Sequence, residues 1–198
     1  MCGWEVPAHT CFFEGDHMSK KILVLTGSPR QGGNTDILAE AFIEGAQRAG
    51  NQVFRFDAGR KNVSGCVACE TCFSSGHPCS YVDDFEEYAG YLKEADVLAI
   101  FSPVYWFSFP AQLKATIDKM YCFYNGAQPI GPKECFLVMV AGGPDTSIFD
   151  AAVANYNKIA DLLALDNKGH IVVPGIHDAG AVKNTPAVDG MKRLGEAI

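Results

Sequence analysis

Apolar residues run almost unbroken in four short segments: KILVLTG (Lys21–Gly27), DVLAIFS (Asp96–Ser102), CFLVMVA (Cys135–Ala141) and HIVVPGI (His170–Ile176). Runs of this length bounded by Gly, Pro or polar residues read as fully buried strands. QVFRFD (Gln52–Asp57) alternates apolar and polar residues and reads as a fifth strand. Between them the period changes to that of a helix. Ile37, Leu38, Ala41, Phe42 and Ala46 mark one helix over Asp36–Gly50, with Gly50 as its stop. A second starts at a cap on Asp83 or Asp84 and runs to about Ala95, and a third runs from Pro110 to about Tyr121. Residues 147–166 and the tail Ala187–Ile198 complete the set.

Strands alternate with helices, and the central strands are apolar on both faces. That combination predicts a parallel sheet covered by helices on each side. Five strands with about five helices fit an α/β, doubly wound sheet in the order 2-1-3-4-5. Ligands of such sheets sit outside the carboxyl ends of the strands, so the loops after Gly27, Ser102 and Ala141 are expected side by side. The regular pattern begins at Lys20. Residues 1–19 therefore read as an N-terminal extension and residues 20–198 as one domain. The codons of Glu14-Gly15 can spell a ribosome-binding sequence ahead of Met18, which puts the natural start of translation there. The alternative is a genuine arm that packs on a partner subunit.

Composition narrows the function. The chain has 198 residues and a net charge of −7, which argues against a nucleic-acid binder with a basic face. No apolar run is long enough for a membrane helix, and the N-terminus has no signal-peptide pattern. The expected setting is cytoplasmic, with thiols kept reduced unless they serve redox or metal chemistry.

The first loop, GSPRQGGNT (Gly27–Thr35), lies between a strand and a helix. Its small residues allow close backbone approach, and the helix behind Asn34 directs free N–H groups and a positive dipole end at an anion. Ser28, Asn34 and Thr35 add side-chain donors, Gly33 adds room and Arg30 adds charge. Neither the GK[ST] of a triphosphate loop nor the G-x-G-x-x-G of a dinucleotide site is present. A terminal monophosphate suits the loop best; an ordinary tight turn is the alternative. The second loop, SPVYWFSFP (Ser102–Pro110), places aromatic rings where they can border a flat ligand or bury against a second subunit. The third, AGGPD (Ala141–Asp145), has Gly142 and Gly143 to bring backbone groups close to a polar edge.

SPRQGGNT followed by SPVYWFSFPAQLKATIDK resembles the NADPH-dependent FMN reductase branch of the flavodoxin-like superfamily, over Lys20 to about Ile176. The resemblance implies a flavodoxin-like fold and bound FMN. It puts Ser28, Arg30, Gly33, Asn34 and Thr35 at the phosphate, and Pro103, Val104, Tyr105, Trp106 and Phe107 along the isoalloxazine. Gly142 and Gly143 fall at the ring's pyrimidine edge. It also implies NAD(P)H as a transient substrate, a homodimer or homotetramer, and a small acceptor such as a quinone or nitro compound. No catalytic nucleophile is expected, because the chemistry belongs to the flavin.

GCVACETCFSSGHPCS (Gly65–Ser80) carries four of the eight cysteines, Cys66, Cys69, Cys72 and Cys79, spaced C-x2-C-x2-C-x6-C. Structural zinc usually takes two separated pairs, whereas successive x2 steps with a fourth cysteine soon after are the compact pattern of an iron–sulfur cluster. Free or redox-active thiols and zinc remain alternatives. In this position the loop resembles the iron–sulfur flavoprotein subfamily, which implies a [4Fe–4S] cluster on these four residues. That subfamily also suggests a second role: an electron-transfer protein fed by a ferredoxin-like donor. A flavin-bearing sensor without turnover is a third, weaker reading. His77 inside the loop reads as an exposed residue, and Cys122, Cys135 and Met191 read as core.

Overall fold

The computed structural model describes residues 19–198. The expectations about residues 1–17 and a start at Met18 lie outside them. Five parallel strands form one sheet in the order β2-β1-β3-β4-β5: β1 (Lys21–Thr26), β2 (Gln52–Asp57), β3 (Val97–Pro103), β4 (Glu134–Val140) and β5 (Asp166–Val173). This is the expected doubly wound order.

Strand side chains alternate between faces, and two separate cores follow. Leu23, Leu25, Leu98, Ile100, Leu137 and Met139 pack with α2 (Phe85–Glu94), α3 (Ala111–Lys119), α4 (Tyr121–Asn125) and α5 (Asp150–Leu162). Ile22, Val24, Ala99, Phe101, Phe136 and Val138 pack with α1 (Asn34–Arg48) and α6 (Ala187–Glu196). Helices α1 and α6 touch through Gly45, where a Cβ would stand 2.0 Å from the Lys192 carbonyl oxygen. Only a glycine allows that approach. Among the described residues no helix is long and apolar enough to cross a membrane.

Several boundaries differ from the sequence pattern. The helix expected to end at Tyr121 breaks at Met120 and resumes as α4 to Asn125. The helix expected over residues 147–166 begins as a 3-10 turn at Thr146–Phe149 and ends at Leu162, with Ala164 left-handed (φ 53°). Strand β5 begins at Asp166 rather than His170, because the polar stretch Asp166–Gly169 lies on the sheet edge and has no second partner strand to require apolar residues. Asp84 precedes α2, yet its carboxylate does not cap the helix. Instead Asp83 Oδ1 accepts from the Phe85 N–H at 3.0 Å.

Candidate functional site

An open cleft of about 220 Å3 lies at the carboxyl end of the sheet. Its lining brings together Ser28, Arg30, Gly33, Asn34 and Thr35 from the first loop, Pro103, Val104 and Tyr105 from the second, and Gly142 from the third. The expected meeting of three loops is therefore present.

On the first loop, Ser28 and Thr35 are buried and Arg30 is exposed at the rim. Gly33 precedes α1, and no side chain caps that helix. Its first-turn N–H groups thus face the cleft with their dipole uncompensated by a side chain, which suits an anion. Asp36 sits in the same turn, but its carboxylate is engaged from behind. Asp36 accepts from the Gly32 N–H at 2.7 Å and pairs with Arg55 and Arg60. Arg55 and Arg60 also hold Asp57, at 2.8 and 2.6 Å. Burial pushes the Asp57 carboxyl up, but hydrogen bonds from Thr26, Arg55 and Arg60 outweigh it and hold the group below its ordinary value. Two arginines thus neutralise the acids behind the loop, and Arg30 in front keeps its charge for the cleft. Gly59 supports the loop from below: a Cβ there would lie 2.4 Å from the Ser28 carbonyl carbon.

Asn34 differs from its expected role. Its amide donates to the carbonyls of Asp178 (2.9 Å) and Ile176 (3.4 Å) and accepts from the Val182 N–H (3.2 Å). Only its backbone N–H is left to face an anion. Its side chain instead ties the first loop to the segment after β5, and Ile176, His177 and Ala179 of that segment line the cleft, as do Val140 and Ala141. Of these five, the sequence reading had only Ala141, as the start of the third loop. The strand order could have signalled the segment, since β5 pairs with β4 and its following loop must border Gly142. Contact confirms this: a Cβ on Gly142 would stand 3.2 Å from His177 Cδ2.

Trp106, Phe107 and Gly143 are not among the cleft-lining residues. Tyr105 and Ser108 exchange backbone hydrogen bonds of 2.9 and 3.0 Å, closing a two-residue hairpin around Trp106 and Phe107. Both ring-bearing residues are left-handed, at φ 48° and 62°. Such turns favour Asn and Gly, and bulky residues there cost of order 1–2 kcal/mol each. The hairpin holds Trp106 94% exposed. The Gly143 carbonyl accepts from the Gly175 N–H at 2.8 Å.

The four loop cysteines line a second, smaller cavity, together with Lys119, Tyr121 and Cys122. Cys66 and Cys69 are exposed, and Cys72 and Cys79 are half-buried. Asp83 pins the two ends of the loop together, accepting from the Ser64 N–H at 2.9 Å and the Ser64 hydroxyl at 2.7 Å. Phe73 anchors its middle, edge-on to Phe123 of α4 at 5.8 Å. Ala68 and Glu70 are both left-handed and flank Cys69. Alternation of this kind makes the backbone N–H concavities found at iron–sulfur sites. Four cysteines are the donor set that a cluster takes. The sulfurs as they stand do not form a closed cage: among the described residues no three His, Cys, Asp or Glu side chains group closely enough to hold a metal ion. His77 contacts Glu86 (Nδ1 to Oε1, 2.7 Å) and lies outside the cavity lining. Burial, then Cys72 and Cys79, pushes the Cys122 thiol up to about 12.

A doubly wound sheet in this order, with a cleft where three loops meet at its carboxyl end, is the flavodoxin-like architecture found in flavin oxidoreductases. The profile of the NADPH-dependent FMN reductase family matches residues 20–152, and the chain belongs to that family. An iron–sulfur flavoprotein of Methanocaldococcus jannaschii is 32% identical over 186 residues, covering 90% of this chain and 95% of the relative. A second iron–sulfur flavoprotein, from Archaeoglobus fulgidus, is 32% identical over 100 residues, and the match spans only 45% of its length. Among solved structures, an NAD(P)H:quinone oxidoreductase from Methanothermobacter marburgensis superposes with a TM-score of 0.73 at 21% identity, covering 90% of this chain and 96% of that one. That likeness establishes the shared fold.

Proposed function

We propose that the chain is an FMN-dependent oxidoreductase that takes electrons from NAD(P)H and delivers them to a small acceptor, with a [4Fe–4S] cluster in the cysteine loop as a second electron centre. One observation carries the flavin reading: Ser28–Thr35, Pro103–Tyr105 and Gly142 meet in a single cleft. When bound, FMN supplies both two-electron hydride chemistry and one-electron steps.

The chain's own residues bind and orient. The Ser28 and Thr35 hydroxyls, the first-turn N–H groups of α1 and the Arg30 charge take the phosphate. Pro103, Val104 and Tyr105 border the ring on one side, and Gly142 leaves room at its polar edge. Trp106 and Phe107, exposed on the hairpin that follows Tyr105, can cover a nicotinamide or meet a second copy of the chain in a homodimer or homotetramer. No side chain is required as a nucleophile. The chain is read as one domain from residue 20 onward, working in a reducing cytoplasmic setting.

The four cysteines around one cavity favour a second reading, that of an electron carrier served by a ferredoxin-like donor. Anaerobic purification with an absorption spectrum, iron and sulfide analysis and steady-state NAD(P)H oxidation separates the two. Turnover with either nicotinamide supports the enzyme. Reduction by a ferredoxin without nicotinamide turnover supports the carrier. A flavin spectrum with no iron removes the cluster and leaves the reductase.

A further inference from the structure

Among the described residues, the lining of the cofactor cleft holds two basic side chains, Arg30 and His177, and no carboxylate. Arg30 belongs to the first loop. His177 is placed by its neighbours after β5. The Ile176 N–H donates to the Ala141 carbonyl at 2.9 Å, and the Gly175 N–H to the Gly143 carbonyl at 2.8 Å. On the other side, the Ile176 and Asp178 carbonyls accept from the Asn34 amide at 3.4 and 2.9 Å. The backbone around His177 is thereby tied to the third loop and to the first turn of α1. Its ring borders Gly142, where an added Cβ would stand 3.2 Å from His177 Cδ2. Nδ1 lies 3.3 Å from Asp178 Oδ1, and Nε2 has no hydrogen-bond partner among the described residues.

Packing does not account for the residue. Its side chain is 87% exposed, so removing the ring opens no cavity. Chemistry does. With Nδ1 turned to a carboxylate, the other ring nitrogen accepts while the ring is neutral and donates once it is protonated. Imidazole is the side chain that gains and loses a proton between about pH 5 and 8. The charged groups around it are Arg30, which shares the lining, and Asp178, which stays outside the lining. Asp36 of α1 is outside it too, paired with Arg55 and Arg60. An anion is the ligand that suits Arg30 and a protonated His177 together.

We propose that His177 is a specificity-determining residue of the cleft: protonated, it joins Arg30 and the first turn of α1 in taking the flavin phosphate, and so selects FMN over riboflavin. This rests on the flavin reading above. Isothermal titration compares flavin-free wild type, His177→Gln and His177→Lys, each with FMN and with riboflavin, at about pH 6 and about pH 8. The quantity read is the preference for FMN over riboflavin. The second proton of the phosphate titrates in this range as well, but it is common to all three proteins and cancels between them. At the lower pH His177→Gln should show a preference about fivefold smaller than wild type, as suits an ion pair near solvent. At the higher pH the two should converge. His177→Lys, charged throughout, should match wild type at the lower pH and exceed it at the higher. Equal preference in wild type and His177→Gln at the lower pH overturns the proposal. So does a loss of the same size at both pH values, which would be an effect of shape without charge. Wild type that binds neither flavin overturns the flavin reading itself, whereas wild type that prefers FMN no more than His177→Gln does overturns this inference alone.

Discussion

The Asn34 side chain closes the cofactor cleft from behind, accepting from the Val182 N–H at 3.2 Å while donating to the Asp178 carbonyl at 2.9 Å. One amide thus couples the anion-binding turn to the segment after β5. Asn34→Ala leaves the Ile176 carbonyl and the Val182 N–H without their side-chain partner, which costs about 1–3 kcal/mol. The expected result is a lower melting temperature together with weaker FMN binding, read by differential scanning calorimetry and by flavin fluorescence. Asn34→Asp keeps the acceptor for Val182 but sets a carboxylate against two carbonyls and the phosphate, so it should weaken FMN at least as much as Asn34→Ala.

Gly59 tests the floor of the same turn. A Cβ there meets Ser28 backbone at 2.4 and 2.5 Å, atoms that cannot swing aside as a side-chain tip can. Gly59→Val should weaken FMN at least tenfold, about 1.4 kcal/mol. A fluorescence titration that finds unchanged affinity would remove the turn from the binding account.

The hairpin at Trp106-Phe107 holds two aromatics in backbone conformations better suited to Asn-Gly. Replacing the pair by Asn-Gly should raise stability by about 1–3 kcal/mol as the strain is relieved. NAD(P)H turnover or self-association should fall, because the exposed rings are lost. Urea unfolding, sedimentation and steady-state kinetics read the three quantities on one variant.

Cysteine reactivity should follow surroundings. Hydrogen bonding with Thr71 holds the pKa of the exposed Cys69 thiol below its ordinary value, while burial pushes Cys122 up to about 12. In metal-free protein at mildly alkaline pH, iodoacetamide should label Cys69 early and leave Cys122 unlabelled until the protein unfolds. Thr71→Val should slow labelling at Cys69. Peptide mass mapping over time checks both.

Acid should loosen the cysteine loop. Burial raises the Asp83 pKa, but hydrogen bonds from Lys119, Ser64 and the Phe85 N–H outweigh it, so its folded-state pKa lies below the ordinary 3.8. A depressed carboxylate stabilises the fold above its unfolded value and loses that contribution as pH falls through the folded one. Stability should therefore drop below about pH 4. The slope of the urea midpoint against pH in that range should flatten in Asp83→Asn.

Much of this architecture is legible in the chain because buried parallel strands must be apolar on both faces, and β1, β3 and β4 are. The edge strand β5 is less so: Asp166–Gly169 has a partner on one side only, and its residues answer to solvent as much as to the sheet. The first loop announces its chemistry through small residues and a helix start. The role of the Asn34 amide does not show there, because its partners lie 142 to 148 residues away. His177 and Ala179 escaped for the same reason: a loop after an edge strand becomes a cleft wall only through strand order. The cysteine spacing named a cofactor class. The pairing of Lys119 with Asp83 could not be read from sequence, since the two lie 36 residues apart.

Isothermal titration of flavin-free protein with FMN and with riboflavin reads whether the cleft holds flavin through its phosphate. One FMN per chain, with riboflavin at least a hundredfold weaker, about 2.7 kcal/mol, is the predicted result. Equal affinity for the two, or no binding of either, contradicts it.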